Sequence, residues 1–493
     1  MAESLKDKAA KGFLWAAVNN GATQLLGAIF GLVLSRILDK GDYGLINMIL
    51  VFSAVATALQ DSGFVIALIN KKDASHRDYN SVFWFNILVS ASLYVILFLC
   101  APLIASYYNE PILVKLSRYF FICFFIASFS IAPRSLLMKQ LKQKELAIIG
   151  LTALIISNSI GLFMAFNGMA YWSLATQTIT FNLTISILSW YFSGWRPSFN
   201  ISFEPVRQMF GFSVKMLITY IFNNINNNIF SLVLGKIYTK NEVGDYSQAN
   251  KWNLMGANTI SGMVNGVAQP TFVQVGDDKE RLCRALSKML RLTCFIAFPA
   301  MFGLALVSHE FIIIAVTEKW IKSAHLMQML CVEGAFLPIA TLYYNMVISR
   351  GKSNIYMWNI IAQGILILTA ILSVHYLNGG IDEMVMAHVL IVILWVGIWH
   401  FFVRREIGFS FVQGMKDILP FLFIAGGTMI LTYFITRGIE NLYLLLASRI
   451  ILAAAIYVSA LWLFGANILK ECLSYLIKNT NFASSTCKGV NGS

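Results

Sequence analysis

Charge is what this sequence has little of. Asp, Glu, Lys and Arg make up only 12% of the 493 residues, about half the share usual in soluble domains. That shortage excludes a soluble enzyme, a nucleic-acid module and a disordered chain. Metal and redox signatures are missing too. The seven cysteines (Cys100, Cys123, Cys283, Cys294, Cys331, Cys472 and Cys487) form no CxxC pair, and most lie in apolar runs. This argues against both a disulfide scaffold and a thiolate metal site. No G-x-x-x-x-G-K-[ST] occurs, so the chain has no P-loop of its own. There is no HExxH, and the six histidines are scattered without a nucleophile–base signature. Asp61 and Glu333, the two carboxylates inside apolar stretches, are too far apart in sequence to argue for an active-site dyad. No catalytic residue, metal or cofactor is expected.

Apolar sequence is what the chain has in abundance: 58% of residues, with a mean hydropathy of +0.68. A bilayer core about 30 Å thick takes about 20 apolar residues per helix. Stretches of that length fall at 12–34, 43–69, 81–105, 116–137, 146–166, 171–192 and 211–235. Seven more fall at 246–270, 290–315, 326–349, 355–376, 384–402, 417–436 and 444–464. The pattern predicts an all-α polytopic membrane protein with about 14 transmembrane helices joined by short connections. The charged segment Met1 to Lys11 leads into a full-length span without an A-x-A cleavage site, so it reads as an uncleaved first span. The eleven tryptophans fall mostly near span ends, among them Trp15, Trp172, Trp195, Trp320 and Trp399, as an interfacial belt would.

The net charge of +13 would suggest nucleic acid in a soluble protein. In a membrane protein it suggests cytoplasmic loops rich in Lys and Arg, and no nucleic-acid partner. With the N-terminus inside, 25 of the 37 basic residues fall in cytoplasmic segments. Nine fall on the opposite side: Arg36, Lys40, Lys115, Arg118, Lys236, Lys240, Lys319, Lys322 and Arg437. Lys215, Lys251 and Arg449 lie inside spans. The bias places both termini in the cytoplasm.

The chain also repeats itself. Leu32-Val33-Leu34-Ser35-Arg36-Ile37 recurs 200 residues later as Leu232-Val233-Leu234-Gly235-Lys236-Ile237. After a three-residue insertion, Gly41-Asp42-Tyr43 is echoed by Gly244-Asp245-Tyr246. Each copy ends the first span of a six-span block. Six is even, so the halves run in the same sense and are expected to be parallel repeats with a site between them. The expected organisation is an N-lobe over 1–192, a C-lobe over 193–402, and two additional spans with a cytoplasmic tail over 403–493.

Polar residues inside spans mark where function sits, because an ionisable group near the bilayer centre costs about 2.5–3.5 kcal/mol or more. Asp61, Lys215, Lys251, Glu333 and Arg449 are such residues, with His388 as a neutral one. Lys215 and Lys251 are near enough to span ends to snorkel, and Arg449 sits in an added span where bracing helices is its natural role. The seventh span carries Asn223, Asn224, Asn227 and Asn228 on one face, and the first carries Asn19, Asn20, Thr23 and Gln24 at the same spacing. Amides also join helices, but with a mean gain of only about 0.6 kcal/mol. Two amide faces at equivalent places in two halves read better as a wet cavity lining, and amides offer sugar hydroxyls both donors and an acceptor.

Several of these stretches resemble a known family. Ser35-Arg36-Ile37-Leu38 followed by Asp42-Tyr43-Gly44 resembles the R-L-L-x-x-x-D-Y-G stretch of bacterial polysaccharide exporters. Asp61-Ser62-Gly63 before Ala67-Leu68-Ile69, and Ile104-Ala105-Ser106-Tyr107-Tyr108 before Pro111, are similar to that family's second span and third loop. Gly244-x-Tyr246-x-x-Ala249, Gln269-Pro270 and Trp320-x-x-x-Ala324 fit as well, so the likeness runs over roughly 10–400. The family is the Wzx-type oligosaccharide-lipid flippases, in the polysaccharide transporter branch that includes the colanic acid exporter. It shares a superfamily with multidrug and toxin extrusion (MATE) transporters. Thr317 stands where relatives often carry Gly, and Asn228 where many carry Asp, so no ion-coupling role is carried onto Asn228.

The resemblance implies two six-helix lobes alternating around a central cavity in a bacterial inner membrane. It implies a polyprenyl diphosphate-linked oligosaccharide as cargo for O-antigen, capsule or exopolysaccharide assembly, delivered to a periplasmic polymerase. On that reading Arg36, Lys215 and Lys251 meet the diphosphate, and the glycan meets Asn19, Asn20, Gln24, Asn223, Asn224 and Asn227. Asp61 belongs to the same set, and the lipid tail stays in the bilayer. The alternative is a cation-coupled MATE-like antiporter, which would want more buried acids than this chain offers. A membrane-embedded glycan polymerase would want a large outer loop, and the longest here has about a dozen residues.

Overall fold

The computed structural model describes residues 5–61, 68, 74–140, 142–199, 202–207, 221, 224, 228 and 230–463. It is helical from end to end, with no strand among the described residues. In chain order the long helices are α1 (Leu5–Ile37), α2 (Lys40–Asp61), α3 (His76–Tyr108), the short α4 (Leu113–Phe120), α5 (Ile122–Lys139), α6 (Gln143–Phe166) and α7 (Ala170–Ser193). After a further helix over 230–237 come α8 (Lys240–Val275), α9 (Lys279–Leu306), α10 (Ile321–Ser349), α11 (Ser353–Tyr376), α12 (Ile381–Ile407), α13 (Phe411–Thr436) and α14 (Leu442–Leu463). Among the described residues, nine helical segments are long and apolar enough to cross a membrane. The five other expected spans correspond to α1, α2, α7, α8 and the helix at 230–237. In α7 polar side chains dilute the hydropathy, since it carries Gln177, Thr178, Thr180, Asn182 and Thr184.

Two features fit this architecture to lipid. Large apolar side chains point outward, with Leu103 69%, Phe163 71%, Leu394 72% and Trp462 71% exposed. In water such a surface would be an aggregation liability. Many hydroxyls inside helices bond their own helix: Ser135 donates to the Ile131 carbonyl at 2.7 Å, and Thr432 to that of Thr428 at 2.7 Å. That removes the cost of a lone polar group in hydrocarbon. The protein is an all-α, multi-pass membrane protein.

The chain divides into two compact units. The first comprises Met1–Gln248, Ala315–Trp320 and Met357–Ile381, and the second Ala249–Ile314, Ile321–Tyr356 and Asp382–Ser493. Within the first, α6 packs on α1 and α7, and α5 on α3 and α7. An aromatic core forms around Phe83, Trp195 and Tyr79. Within the second, α9 packs on α10 and α13, and α14 on α13. The last two helices are tied in by ion pairs, the second of them buried on both sides. Asp417 of α13 takes Arg291 of α9 at 2.8 Å and accepts from Ser287. Arg449 of α14 bonds Glu310 at 2.7 Å and the Leu306 carbonyl at 3.0 Å. Arg449 is therefore a brace, buried at 7% exposure.

The repeat is tighter than the sequence pattern suggests. Both first spans end alike: the Leu38 amide bonds the Leu34 carbonyl at 2.8 Å, and the Tyr238 amide that of Leu234 at 2.8 Å. Both second helices start alike, at Lys40 and Lys240. Asp42 reaches back to the Asp39 amide at 2.9 Å, and Glu242 to the Thr239 amide at 3.1 Å, each stabilising a helix N-terminus. The offset stays at 200 throughout, so the expected three-residue insertion is absent. The Gly-Asp-Tyr letters match by coincidence, and the structural equivalent of Gly44 is Gly244.

These two glycines touch the opposite copy. A Cβ on Gly44 would lie 1.9 Å from the Lys240 carbonyl oxygen, and one on Gly244 would lie 2.1 Å from that of Lys40. Gly41 faces its own equivalent, its Cβ position lying 3.1 Å from the Asn241 side-chain oxygen. Reciprocal contacts between equivalent residues are the mark of a two-fold axis. The two copies meet backbone to backbone.

Gly44→Ala and Gly244→Ala are each expected to destabilise by about 1–3 kcal/mol, because the obstacle is backbone. Gly27→Ala, with nothing within 4 Å of its Cβ position, is expected to gain up to about 1 kcal/mol from helix propensity. Thermal unfolding in detergent reads both signs. Arg449→Ala leaves Glu310 buried and unpaired, at a cost of about 3–5 kcal/mol; the double change Arg449→Met with Glu310→Leu recovers most of it in the same assay.

Candidate functional site

The chemistry gathers where the two repeat copies meet. Five of the nine Lys and Arg expected outside the cytoplasmic segments converge there. Arg36 donates Nε to the Ala315 carbonyl at 2.8 Å, and its equivalent Lys236 donates Nζ to the Tyr107 carbonyl at 2.7 Å. Lys40 pairs with Asp245 at 2.9 Å and Lys240 with Glu110 at 3.2 Å. Lys319 donates to the Leu38 carbonyl at 2.6 Å, with the Asp39 carboxylate 3.5 Å away.

The arrangement is crosswise. The turn after α3 (Tyr107, Tyr108, Glu110) seats on the second copy, and the segment Ala315–Trp320 seats on the first. Trp320 is fully buried, donates Nε1 to the Ser35 carbonyl at 2.9 Å and meets Tyr43 edge-on at 5.5 Å. The place equivalent to Ser35 is Gly235, where a Cβ would strike the Tyr108 ring at 2.4 Å. Ser35 itself takes a hydrogen bond from Gln248 at 2.7 Å. Trp320 is thus a packing residue at this seam, and Trp195 and Trp399 are buried as well, at 7% and 3% exposure.

Of the residues singled out from sequence, Arg36 lies in this clasp with its side chain exposed. Gln24 is half-buried on α1, and Asn19 and Asn20 lie on the same helix. Asp61 is the last residue of α2. Asn224 is half-buried and helical, its carbonyl taking the Asn228 amide at 2.8 Å. Lys215, Asn223 and Asn227 lie outside the described residues. Lys251, in the second unit, is half-buried on α8 with its ammonium 5.3 Å from the Trp252 ring centre. The second unit also pairs the other two intraspan candidates, Glu333 of α10 and His388 of α12, at 3.3 Å. No group of three potential metal ligands occurs among the described residues.

Sequence reasoning missed the roles of Lys40, Lys240, Lys319, Glu110 and Asp245. One signal was available: cations on the side where they are scarce, at fixed offset in a repeat. Their partners carry none, since three are backbone carbonyls of distant turns.

Comparison with known proteins places this geometry. The chain is 27% identical over 358 residues to the lipopolysaccharide biosynthesis protein WzxC of Escherichia coli (strain K12), covering 71% of this chain and 72% of that one. Its fold is similar to that of the lipid II flippase MurJ in an inward closed conformation, with a TM-score of 0.77 and 15% identity over 94% of this chain and all of that one. A multidrug resistance MATE family transporter in an inward-facing conformation follows, with a TM-score of 0.62 and 13% identity over 78% of this chain and 94% of that one. The motifs that build the clasp fall within residues 33–325, the stretch over which the chain matches, and therefore belongs to, the polysaccharide biosynthesis protein family.

Proposed function

We propose that this chain is a flippase that carries polyprenyl diphosphate-linked oligosaccharides across the inner membrane by alternating access, for surface polysaccharide assembly. Membership of the polysaccharide biosynthesis family carries this reading. The fold alone does not, because a lipid II flippase and a multidrug transporter both share it. With that topology both termini are cytoplasmic, the clasp lies at the periplasmic end, and the lobes are 1–192 and 193–402, followed by 403–493. A periplasmic polymerase then receives the cargo.

The cargo dictates what the cavity must supply. A diphosphate taken from water into low dielectric needs cationic partners. Lys251 and Lys215 are the intraspan ammonium groups suited to meet it early in the cycle. The glycan hydroxyls suit the amides of Asn19, Asn20, Gln24, Asn223, Asn224 and Asn227, while the polyprenyl chain remains in lipid. An inside-negative potential favours outward movement of each negative charge by about 2.3 kcal/mol per 100 mV. The chain's own residues thus bind, orient and exclude water; they break no bond.

Deleting the gene is expected to make a polyprenyl diphosphate-linked oligosaccharide accumulate in the membrane while surface polysaccharide disappears, as read by lipid mass spectrometry. An unchanged lipid pool with new sensitivity to cationic drugs would instead mean the MATE-like antiporter. Lys251→Ala removes one charge-assisted contact of about 1.5–3 kcal/mol, so export at normal protein level is expected to fall about tenfold or more. Undiminished export would remove Lys251 from the binding set.

A further inference from the structure

We propose that Glu333 and His388 form a proton-binding pair inside the second unit, and that its loading and unloading are coupled to the transport cycle. For what the proton drives, this rests on the flippase reading.

The pair differs from the arginine pairs of its unit in three ways. It is deep on both sides. Glu333 lies about 18 Å along α10 from its first residue, and His388 about 10 Å along α12. Their side chains are only 8% and 13% exposed. A carboxylate at such a depth is costly and marks a functional place. Its cation also titrates. Arg291 and Arg449, which hold Asp417 and Glu310, stay protonated throughout, whereas imidazole gains and loses a proton around neutral pH. Finally, the pair is slack. The arginine pairs close at 2.8 and 2.7 Å, the lengths of charge-assisted hydrogen bonds. Glu333 Oε2 and His388 Nε2 stand 3.3 Å apart, and that oxygen accepts no hydrogen bond.

The neighbouring helices leave the carboxylate to the imidazole. On α8, the fully buried Asn253 touches α10 at Gly334, next to Glu333, and neither atom of its amide is hydrogen-bonded. On α9, Met301 meets the same glycine. Neither residue carries charge. Lys251, earlier on α8, has its ammonium by the Trp252 ring. Cys331 is buried on α10 two residues before Glu333, and Asp382 and Glu383 stand at the start of α12. Among the described residues no Lys or Arg pairs with Glu333. Idle hydrogen-bonding atoms inside a protein are rare, and here they border a carboxylate whose partner titrates.

Proton and conformation are linked through charge. With a proton on His388 the pair is ionised on both sides and neutral overall, as the arginine pairs are. When the proton leaves to water, Glu333 remains a lone buried anion, which low dielectric penalises heavily. Closing round the pair is therefore favourable with the proton and unfavourable without it. That difference between two states is what a coupling ion must supply. Only an N–H bond forms and breaks, and water gives and takes the proton.

The same two helices mark an entry side. His325 of α10 and Asp382 of α12 form a second imidazole–carboxylate pair at 3.8 Å, with side chains 57% and 47% exposed. It lies about 12 Å nearer the start of α10, and about 9 Å nearer that of α12, than the buried pair. On the topology proposed above this is the periplasmic side, from which an inside-negative potential draws cations in.

The test uses the purified full chain in liposomes holding a polyprenyl diphosphate-linked oligosaccharide and an internal pH dye, with the membrane potential clamped by potassium and valinomycin. An acidic exterior is expected to speed glycan exposure several-fold and to acidify the lumen as it does so. Glu333→Gln and His388→Gln are expected to lose both responses, Glu333→Asp to keep part of them, His325→Gln to slow lumen acidification, and His375→Gln, exposed at the end of α11, to change neither. Infrared spectra at acid and alkaline pH, taken without cargo, read the pair itself. A carboxylate band that shifts with pH is expected to vanish in Glu333→Gln and to lose its shift in His388→Gln, which an isolated titrating histidine would not produce. Flipping that ignores the gradient, or a gradient response that survives in Glu333→Gln, overturns the proposal and leaves the flippase reading standing. If no glycan is flipped under any condition, the flippase reading fails, and the infrared shift alone then upholds or overturns the pair.

Discussion

The structure depends on one close approach. Two helix N-termini, at Lys40 and Lys240, meet so tightly that each has room only for a hydrogen where the other brings a carbonyl oxygen. Glycine at 44 and 244 is the condition for that contact, and the contact sets where everything else at this end can reach. It brings the turn after α3 onto the second copy and the segment Ala315–Trp320 onto the first. It also puts cations from both halves of the chain within reach of each other's backbone. The contact is backed by Trp320, buried against Ser35 and Tyr43, and by the Lys40–Asp245 and Lys240–Glu110 ion pairs.

Polarity is managed differently in the two units. In the first, ion pairs join the two repeat copies at the clasp, Lys40–Asp245 and Lys240–Glu110. In the second, arginine pairs are structural: Arg291–Asp417 and Arg449–Glu310 fasten α13 and α14. A buried pair such as Arg449–Glu310 adds little net stability, but it is costly to break singly. Together the two pairs fix the last two helices to one partner, α9 and the turn after it, with a register that apolar packing in lipid does not specify.

The helical membrane fold was legible in the sequence because length and apolar content leave few alternatives, and the nine most apolar segments were found where the pattern put them. The polar spans were legible for the opposite reason, since Asn19, Gln24 and Asn224 stand out against hydrocarbon. The repeat was legible at 32–37 and 232–237, but its continuation was misread. Gly-Asp-Tyr matched Gly-Asp-Tyr three residues out of register, while the true equivalence is carried by helix starts at Lys40 and Lys240 and by carboxylates that cap them. The packing role of Trp320 was not legible, because nothing in its neighbourhood announces the distant Ser35 carbonyl. The cations of the clasp were visible one by one; their convergence was not, because backbone acceptors leave no trace in sequence.

Flipping itself is the most direct measurement of the central claim. Liposomes carrying the purified chain and a polyprenyl diphosphate-linked oligosaccharide would be treated from outside with an impermeant glycosidase. The account predicts that the protein exposes glycan from the inner leaflet well beyond the half that empty liposomes surrender. Digestion that stops at the same half with and without protein would contradict it.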